Sequence, residues 1–298
     1  IYIVGISSPG IYPDSRNMTL EKYNSTGVRE WSRIWDLGGW EEGLALTLDL
    51  NNDIYIAGHT ESNPCIAKYN PNGDQIWNHT WSQFGGKFYD ITVDANNDIF
   101  ALGNDGTNSH FVKFNSTGQS IFNHTIPLAN LYAFKLASNN TIFLGGYFEQ
   151  SSAEDFIIMK LNEFREQEWN RTLHLNQFNR VLDIALNSTD SLYLYGYTQT
   201  NSDPQDSRMC IIKYNLLGNF QWHHTWGESM SFGLSFVLDN SNIYVTGGMN
   251  EDIYVAKMNV LPTRKGASKV FGYNSILIIA IISLISAIVI QRERKKYS

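Results

Sequence analysis

The chain of 298 residues is 43% hydrophobic and 13% aromatic but only 17% charged, a balance that suits broad buried sheet faces joined by polar, uncharged turns. A formal net charge of -7 argues against nucleic acid as a partner, because phosphate binding needs a basic surface. Two cysteines, Cys65 and Cys210, are too few for a disulfide scaffold.

Six segments share one pattern in chain order: Ile1–Gly5, Ile54–Gly58, Ile99–Gly103, Ile142–Gly146, Leu192–Gly196 and Ile243–Gly247. Each is β-branched or aromatic and closes on glycine, as a strand entering a turn does. Their spacing of roughly 43 to 53 residues is that of four-stranded repeats. A second strand follows, with an aligned lysine (Lys22, Lys68, Lys113, Lys160, Lys213, Lys257) and, two residues on, an aligned asparagine (Asn24, Asn70, Asn115, Asn162, Asn215, Asn259). Turn chemistry comes next, as in Asn24-Ser25-Thr26-Gly27 and Asn70-Pro71-Asn72-Gly73. A third strand carries paired aromatics, Trp31/Trp35, Trp77/Trp81 and Trp222/Trp226, with weaker versions at Phe122/Ile126 and Trp169/Leu173. A fourth, such as Tyr89–Asp94, alternates apolar residues and ends on a polar turn.

Four short strands per repeat cannot bury their faces alone. Radial repetition solves this and protects the edges, whereas a two-layer sandwich does not explain six in-phase copies. The expectation is an all-β chain: a β-propeller of six or more blades over residues 1–259, incomplete at its N-terminus, because Ile1 opens inside a strand with no signal peptide before it. Residues 260–270 read as a linker. Phe271 to Ile290 holds no charge and is long enough, at about 20 residues, to cross a bilayer as one transmembrane helix. Arg292, Arg294, Lys295 and Lys296 follow, which by the positive-inside rule makes 291–298 a cytoplasmic tail and puts the propeller outside the cell membrane.

Asp90-Ile91-Thr92-Val93-Asp94, Asp98-Ile99-Phe100 and Cys65–Gly73 carry a resemblance to the bacterial and archaeal SBBP-type β-propeller repeat, which is similar to the NHL repeat and more distantly to quinoprotein repeats. The resemblance covers roughly residues 1–259. It implies that the Leu44-to-Asp49 type of strand is innermost and the tryptophan strand outermost. On that order the first blade lacks its inner strand and the last its outer one, and an upstream segment carrying both would close the ring.

Loops on one rim are short and alike; those on the other vary. Gly5–Asn17, Gly146–Asp155 and Tyr197–Arg208 read as long and polar, Asp36–Gly43 and Ser82–Lys87 as glycine-rich. Variable loops on a rigid scaffold are where binding concentrates, with Tyr12, Trp40, Phe84 and Phe148 as aromatic anchors of a binding rim. Sequons stand at Asn24, Asn78, Asn115, Asn123, Asn139, Asn170 and Asn187, on the short-loop rim or the outer strands, and at Asn17 in a variable loop. They suggest a glycan-shielded rim opposite a bare one.

The remaining candidates read as structural. His79, His124 and His224 share one outer-strand position with Arg33 and Arg171, too far apart for one metal ion. Cys65 and Cys210 fall on non-adjacent blades and read as buried free thiols. The aligned lysines read as paired with acidic or amide groups. Asp90 and Asp183 share an inner-strand position, near Lys135, and Glu149, Glu154, Asp155, Asp203 and Asp206 lack cation-ligand spacing. No phosphate loop, nucleophile elbow, HExxH or CxxC occurs, so no catalytic residue, metal or cofactor is expected. The function expected is a membrane-anchored module that binds a protein or a glycan. The alternatives are a structural cell-surface coat component and, less consistent with the residues, a quinoprotein-like or lyase-like propeller enzyme.

Overall fold

The computed structural model describes residues 1–259 apart from 8–15, 37–38, 62, 138, 151–152, 188–190, 228–229, 240–241 and 250–251; the expected linker, membrane helix and tail lie outside these. Among the described residues no helix is long and apolar enough to cross a membrane.

The described chain is all-β. A three-stranded sheet comes first: β1 (Tyr2–Ser7), β2 (Asn17–Tyr23) and β3 (Arg29–Trp35). Two four-stranded sheets follow: β4 (Glu41–Leu48), β5 (Ile54–Thr60), β6 (Asn63–Tyr69), β7 (Gln75–Thr80), then β8 (Lys87–Val93), β9 (Ile99–Asn104), β10 (Ser109–Phe114), β11 (Ser120–Ile126). The next strands are β12 (Ala129–Leu136), β13 (Ile142–Gln150), β14 (Ala153–Leu161), β15 (Gln167–Leu173) and β16 (Phe178–Leu186), β17 (Ser191–Gln199), β18 (Arg208–Asn215), β19 (Phe220–Trp226), two meanders joined by one parallel bridge, Glu154 to Phe178. The last sheet has three strands, β20 (Ser231–Leu238), β21 (Asn242–Met249) and β22 (Asp252–Asn259). Within each full sheet the order is sequential, with the β4-type strand at one edge and the tryptophan strand at the other. Among the described residues the first sheet has no β4-type strand and the last has no tryptophan strand. The chain forms two compact units, one ending at Asn130 and one beginning at Leu131.

The short turns follow from side-chain chemistry. Asn70 Oδ1 accepts from the backbone N–H groups of Asn72 and Asp74, both at 2.9 Å, and Asn24, Asn115, Asn162 and Asn215 repeat this arrangement. Asp49 and Asp94 do the same between the first two strands of their sheets. The fourth residue of each turn must take a positive φ, so the asparagine turns carry Gly27, Gly73, Gly118 and Gly218, and the aspartate turns carry Asn52 and Asn97, which tolerate that region.

Register explains the aligned lysines. Tyr55, Lys68 and Trp77 are direct cross-strand neighbours. The Lys68 ammonium lies 4.8 Å from the Tyr55 ring centre and pairs with Asp53 at 2.9 Å. Lys22, Lys113, Lys213 and Lys257 likewise sit over the aromatic ring of the preceding strand, and Lys22, Lys113 and Lys160 pair with Glu30, Asp98 and Glu168. Within each unit the sheet containing β5 or β17 packs its two faces on different neighbouring sheets. In the first unit Ile54, Ile56 and Ala67 meet Met18 and Leu20, while Tyr55, Ala57 and Ile66 meet Phe88 and Ile91. In the second unit Leu194 and Ile212 meet Phe143 and Phe156, and Tyr195 and Ile211 meet Phe236 and Val245.

The repeated glycine does not end its strand. β5 continues from Gly58 to Thr60 and β17 from Gly196 to Gln199. Its neighbour strand bulges there, between Gly43 and Ala45 or Val181 and Asp183, and bends its backbone toward the glycine. A β-carbon on Gly58, Gly103, Gly196 or Gly247 would lie 1.8 to 2.3 Å from the carbonyl oxygen of Glu42, Lys87, Arg180 or Phe232. Gly5, whose strand has no such neighbour, has nothing within 4 Å.

Candidate ligand-binding rim

In each unit, strand ends opposite the asparagine and aspartate turns bring charged side chains together. In the first unit the group centres on Glu42, whose side chain is 10% exposed. Glu42 precedes the β4 bulge, Lys87 holds the same position in β8, and strand register sets His59 directly opposite Glu42. Glu42 Oε1 accepts from the Trp40 indole N–H at 3.0 Å and from Arg16 at 3.3 Å. Its Oε2 accepts from Lys87 Nζ at 2.8 Å and lies 3.1 Å from His59 Nε2, a close polar contact rather than an aligned hydrogen bond. Burial pushes the Glu42 pKa up, but the Lys87, His59 and Trp40 contacts and the Lys87 charge outweigh it, leaving the carboxyl at about 2. Trp40 is itself 43% exposed, with the Arg16 guanidinium 4.3 Å from its ring centre and a backbone bridge tying it to Arg16.

Beside this group, His110 Nε2 lies 3.1 Å from Asp105 Oδ2 and its ring stacks on Phe84 at 3.9 Å. Burial raises the Asp105 pKa, but hydrogen bonds from the Asn108 and Thr107 backbones and from His110 prevail and leave it at about 2.

In the second unit Arg180 takes the position corresponding to Glu42 and Lys87. It donates twice to Glu154, at 2.6 and 2.7 Å, and lies 4.8 Å from the centre of the Tyr147 ring, which stacks on Tyr132. The two Glu154 hydrogen bonds raise the Arg180 pKa against the opposing effect of burial. Fully buried Asn179 ties this group to the chain through Glu154 O, Asn176 O and the Thr198 hydroxyl.

The sequence-predicted anchors divide. Tyr12 lies outside the described residues. Trp40 immediately precedes β4 and is exposed. Phe84 is 7% exposed, packed edge-on to Phe88 and flat on His110, so it is part of the core rather than an open anchor. Phe148 is half-buried in β13, not in a loop, because β13 and β14 pair as far as Gln150 and Ala153 and the expected Gly146–Asp155 loop is mostly hairpin. Asn17 is also not a loop residue: it opens β2 and is 6% exposed, which leaves no room for a glycan. The outer-strand asparagines Asn78, Asn123 and Asn170 are exposed, as is Asn139, and Asn24, Asn115, Asn139 and Asn187 spend their side-chain oxygens on their turns.

Residues read as structural are so engaged. Arg33, His79 and Arg171 each contact a backbone carbonyl in the turn of the next sheet, at Gly73 (2.7 Å), Thr117 (3.2 Å) and Gly218 (3.1 Å). Asp183 Oδ2 accepts from the Ser235 hydroxyl and the Phe236 N–H, joining neighbouring inner strands. Cys65 and Cys210 are free and buried, and burial raises both thiol pKa values far above the ordinary range. Asp155 pairs with His174, and Asp206 accepts from Thr200 and Asn201. Among the described residues no three His, Cys, Asp or Glu side chains gather as a metal site.

Sequence reasoning missed Glu42, His59, Lys87 and Arg180. The available signal was the charged residue that three repeats place just before the bulge.

No family model and no curated protein matches this sequence. Solved structures do resemble it. A chain of a nidogen/laminin complex is similar with a TM-score of 0.52 at 11% identity, over 83% of this chain and 86% of that one. An ulvan lyase of polysaccharide lyase family 25, solved bound to a sulfated glucuronyl-rhamnose saccharide, is similar with a TM-score of 0.50 at 12% identity, over 86% of this chain and 79% of that one. At such identities the likeness speaks for the fold alone, and the fold is β-propeller-like.

Proposed function

We propose that this chain is a binding module that takes a protein or a glycan on its variable rim and is held at the cell surface by residues 271–290. The observation that carries the reading is Trp40: an indole left 43% exposed while its N–H is fixed by Glu42 and its ring by Arg16. A large aromatic that is open to solvent yet already held in place loses little conformational freedom on binding, which is how anchors concentrate affinity. Arg16 and Lys87 beside it supply donors for hydroxyl or carboxylate groups, and an indole face packs equally on a sugar ring or an apolar side chain. The sequons on outer strands, Asn78, Asn123 and Asn170, would keep attached glycans off this rim. The uniform turns of the other rim offer backbone and asparagine side chains already satisfied by one another.

The full chain, screened in detergent against a glycan array and a pull-down of surface proteins, should return a ligand whose binding falls at least tenfold with Trp40→Ala. Ligand binding that is unchanged by Trp40→Ala and Lys87→Ala would place the face elsewhere. Absence of any ligand for the folded chain, with concentration-dependent lateral association instead, would favour a structural coat component.

A further inference from the structure

In the first unit β7 and β11 are the outer edges of the two four-stranded sheets. Alternate residues of a strand share a face. On one face β7 presents Ile76, Asn78 and Thr80, and β11 presents Ile121, Asn123 and Thr125, all six exposed. Ile76 is 51% exposed and Ile121 54%. At the place of these isoleucines, the residue before the repeated aromatic, β3, β15 and β19 have Glu30, Glu168 and Gln221. β7 reads Gln-Ile-Trp-Asn-His-Thr and β11 Ser-Ile-Phe-Asn-His-Thr-Ile, with no lysine, arginine, aspartate, glutamate or proline in either. A short uncharged edge strand of high β-propensity with an apolar residue open to solvent pairs readily with another chain, and stable proteins blunt such edges with charge, proline or a cover. Beside each exposed isoleucine, on the same face, stands the asparagine of a sequon: Asn78-His79-Thr80 and Asn123-His124-Thr125.

We propose that Asn78 and Asn123 carry N-linked glycans, and that these sugars cover Ile76 and Ile121 and keep the edges of β7 and β11 from pairing with other copies of the chain. In the transfer, asparagine Nδ2 bonds to the anomeric carbon of a saccharide carried on a lipid phosphate or diphosphate. The bond from that carbon to the phosphate oxygen breaks, the lipid phosphate leaves, and Nδ2 loses one proton; nothing is oxidised or reduced. Other sequons are placed differently. Asn17 is 6% exposed. Asn24, Asn115, Asn139 and Asn187 have their side-chain oxygens committed to N–H groups of their own turns. Asn170 holds the same strand position in β15, but Glu168 and Arg171 already give that edge charge. The inference rests on the surface location proposed above and not on the rim at Trp40.

Glycopeptide mass spectrometry of the full chain, recovered from the membranes of the cells that make it, should find Asn78 and Asn123 modified. Protease added to intact cells reads the location separately. A chain it cannot reach overturns the surface location and the glycans with it; a reachable chain with bare Asn78 and Asn123 overturns the glycans alone. Asn78→Gln combined with Asn123→Gln should lower the concentration at which the chain self-associates at least tenfold, as read by sedimentation in detergent, and amides of β7 and β11 should gain protection from hydrogen exchange in the associated form. Adding Ile76→Lys and Ile121→Lys should restore the monomer, because an edge charge then replaces the sugar. A double glutamine variant that associates no more than the glycosylated chain, or association that the two lysines leave unchanged, overturns the role given to the sugars.

Discussion

Gly58 approaches Glu42 so closely that a β-carbon on it would stand 1.8 Å from the Glu42 carbonyl oxygen. The contact is backbone to backbone, so no side chain can swing away to relieve it. Gly58→Ala should therefore destabilise the chain by about 1–3 kcal/mol, the range for overpacking a tight site. Gly5→Ala, at the equivalent position of a strand with no such neighbour, should cost well under 1 kcal/mol. Paired denaturant melts check the contrast, and equal effects would remove the close-approach explanation.

Glu42 links the rim to acid stability. Its pKa in the folded chain, about 2, is below its ordinary value of 4.5. A depressed carboxyl contributes stability that is fully present above the unfolded value and is lost as pH falls through the folded one. The stability gap between the native chain and Glu42→Gln should be on the order of 2 kcal/mol at neutral pH and close between about pH 4.5 and pH 2. Melts at several pH values read it, and a gap that persists at pH 2 would exclude the mechanism.

Arg165 is a side chain in a glycine's place. It occupies the fourth position of the turn opened by Asn162, with φ at +66°, where four other turns have glycine. Left-handed backbone costs a non-glycine residue about 1 kcal/mol, so Arg165→Gly should raise stability by about 0.5–1 kcal/mol despite the greater freedom of glycine in the unfolded chain. Thermal unfolding of the two forms is the measurement, and a loss of stability would mean that the arginine side chain supports the turn.

Both cysteine thiols should be inert while the protein is folded. Burial raises their pKa values and closes access to reagent, and only the thiolate reacts. A thiol reagent at pH 8 should label neither Cys65 nor Cys210 in the native chain and both in denaturant, with mass spectrometry counting the adducts.

The repeat was legible in the sequence because it is local. The lysine and asparagine alignments mark register, and Asn70 with Gly73 encodes its turn within five residues. What the repeated glycine does was not legible: Gly58 looks like a strand end until the bulge at Gly43 is seen beside it. The rim was harder still. Trp40 was identifiable as an aromatic in a glycine-rich loop, but Phe84 satisfies the same description and is buried, because only the fold brings Phe88 and His110 to its two sides.

The sequence by itself determined the all-β repeat and the turn chemistry, since each depends on residues within one repeat. The tertiary structure decided which charged residues meet. Glu42 and Lys87 stand 45 residues apart, and only the packing of one sheet on the next closes them to 2.8 Å. A buried carboxylate draws its partners from strands that pairing and packing bring together, and no local pattern records which strands those are.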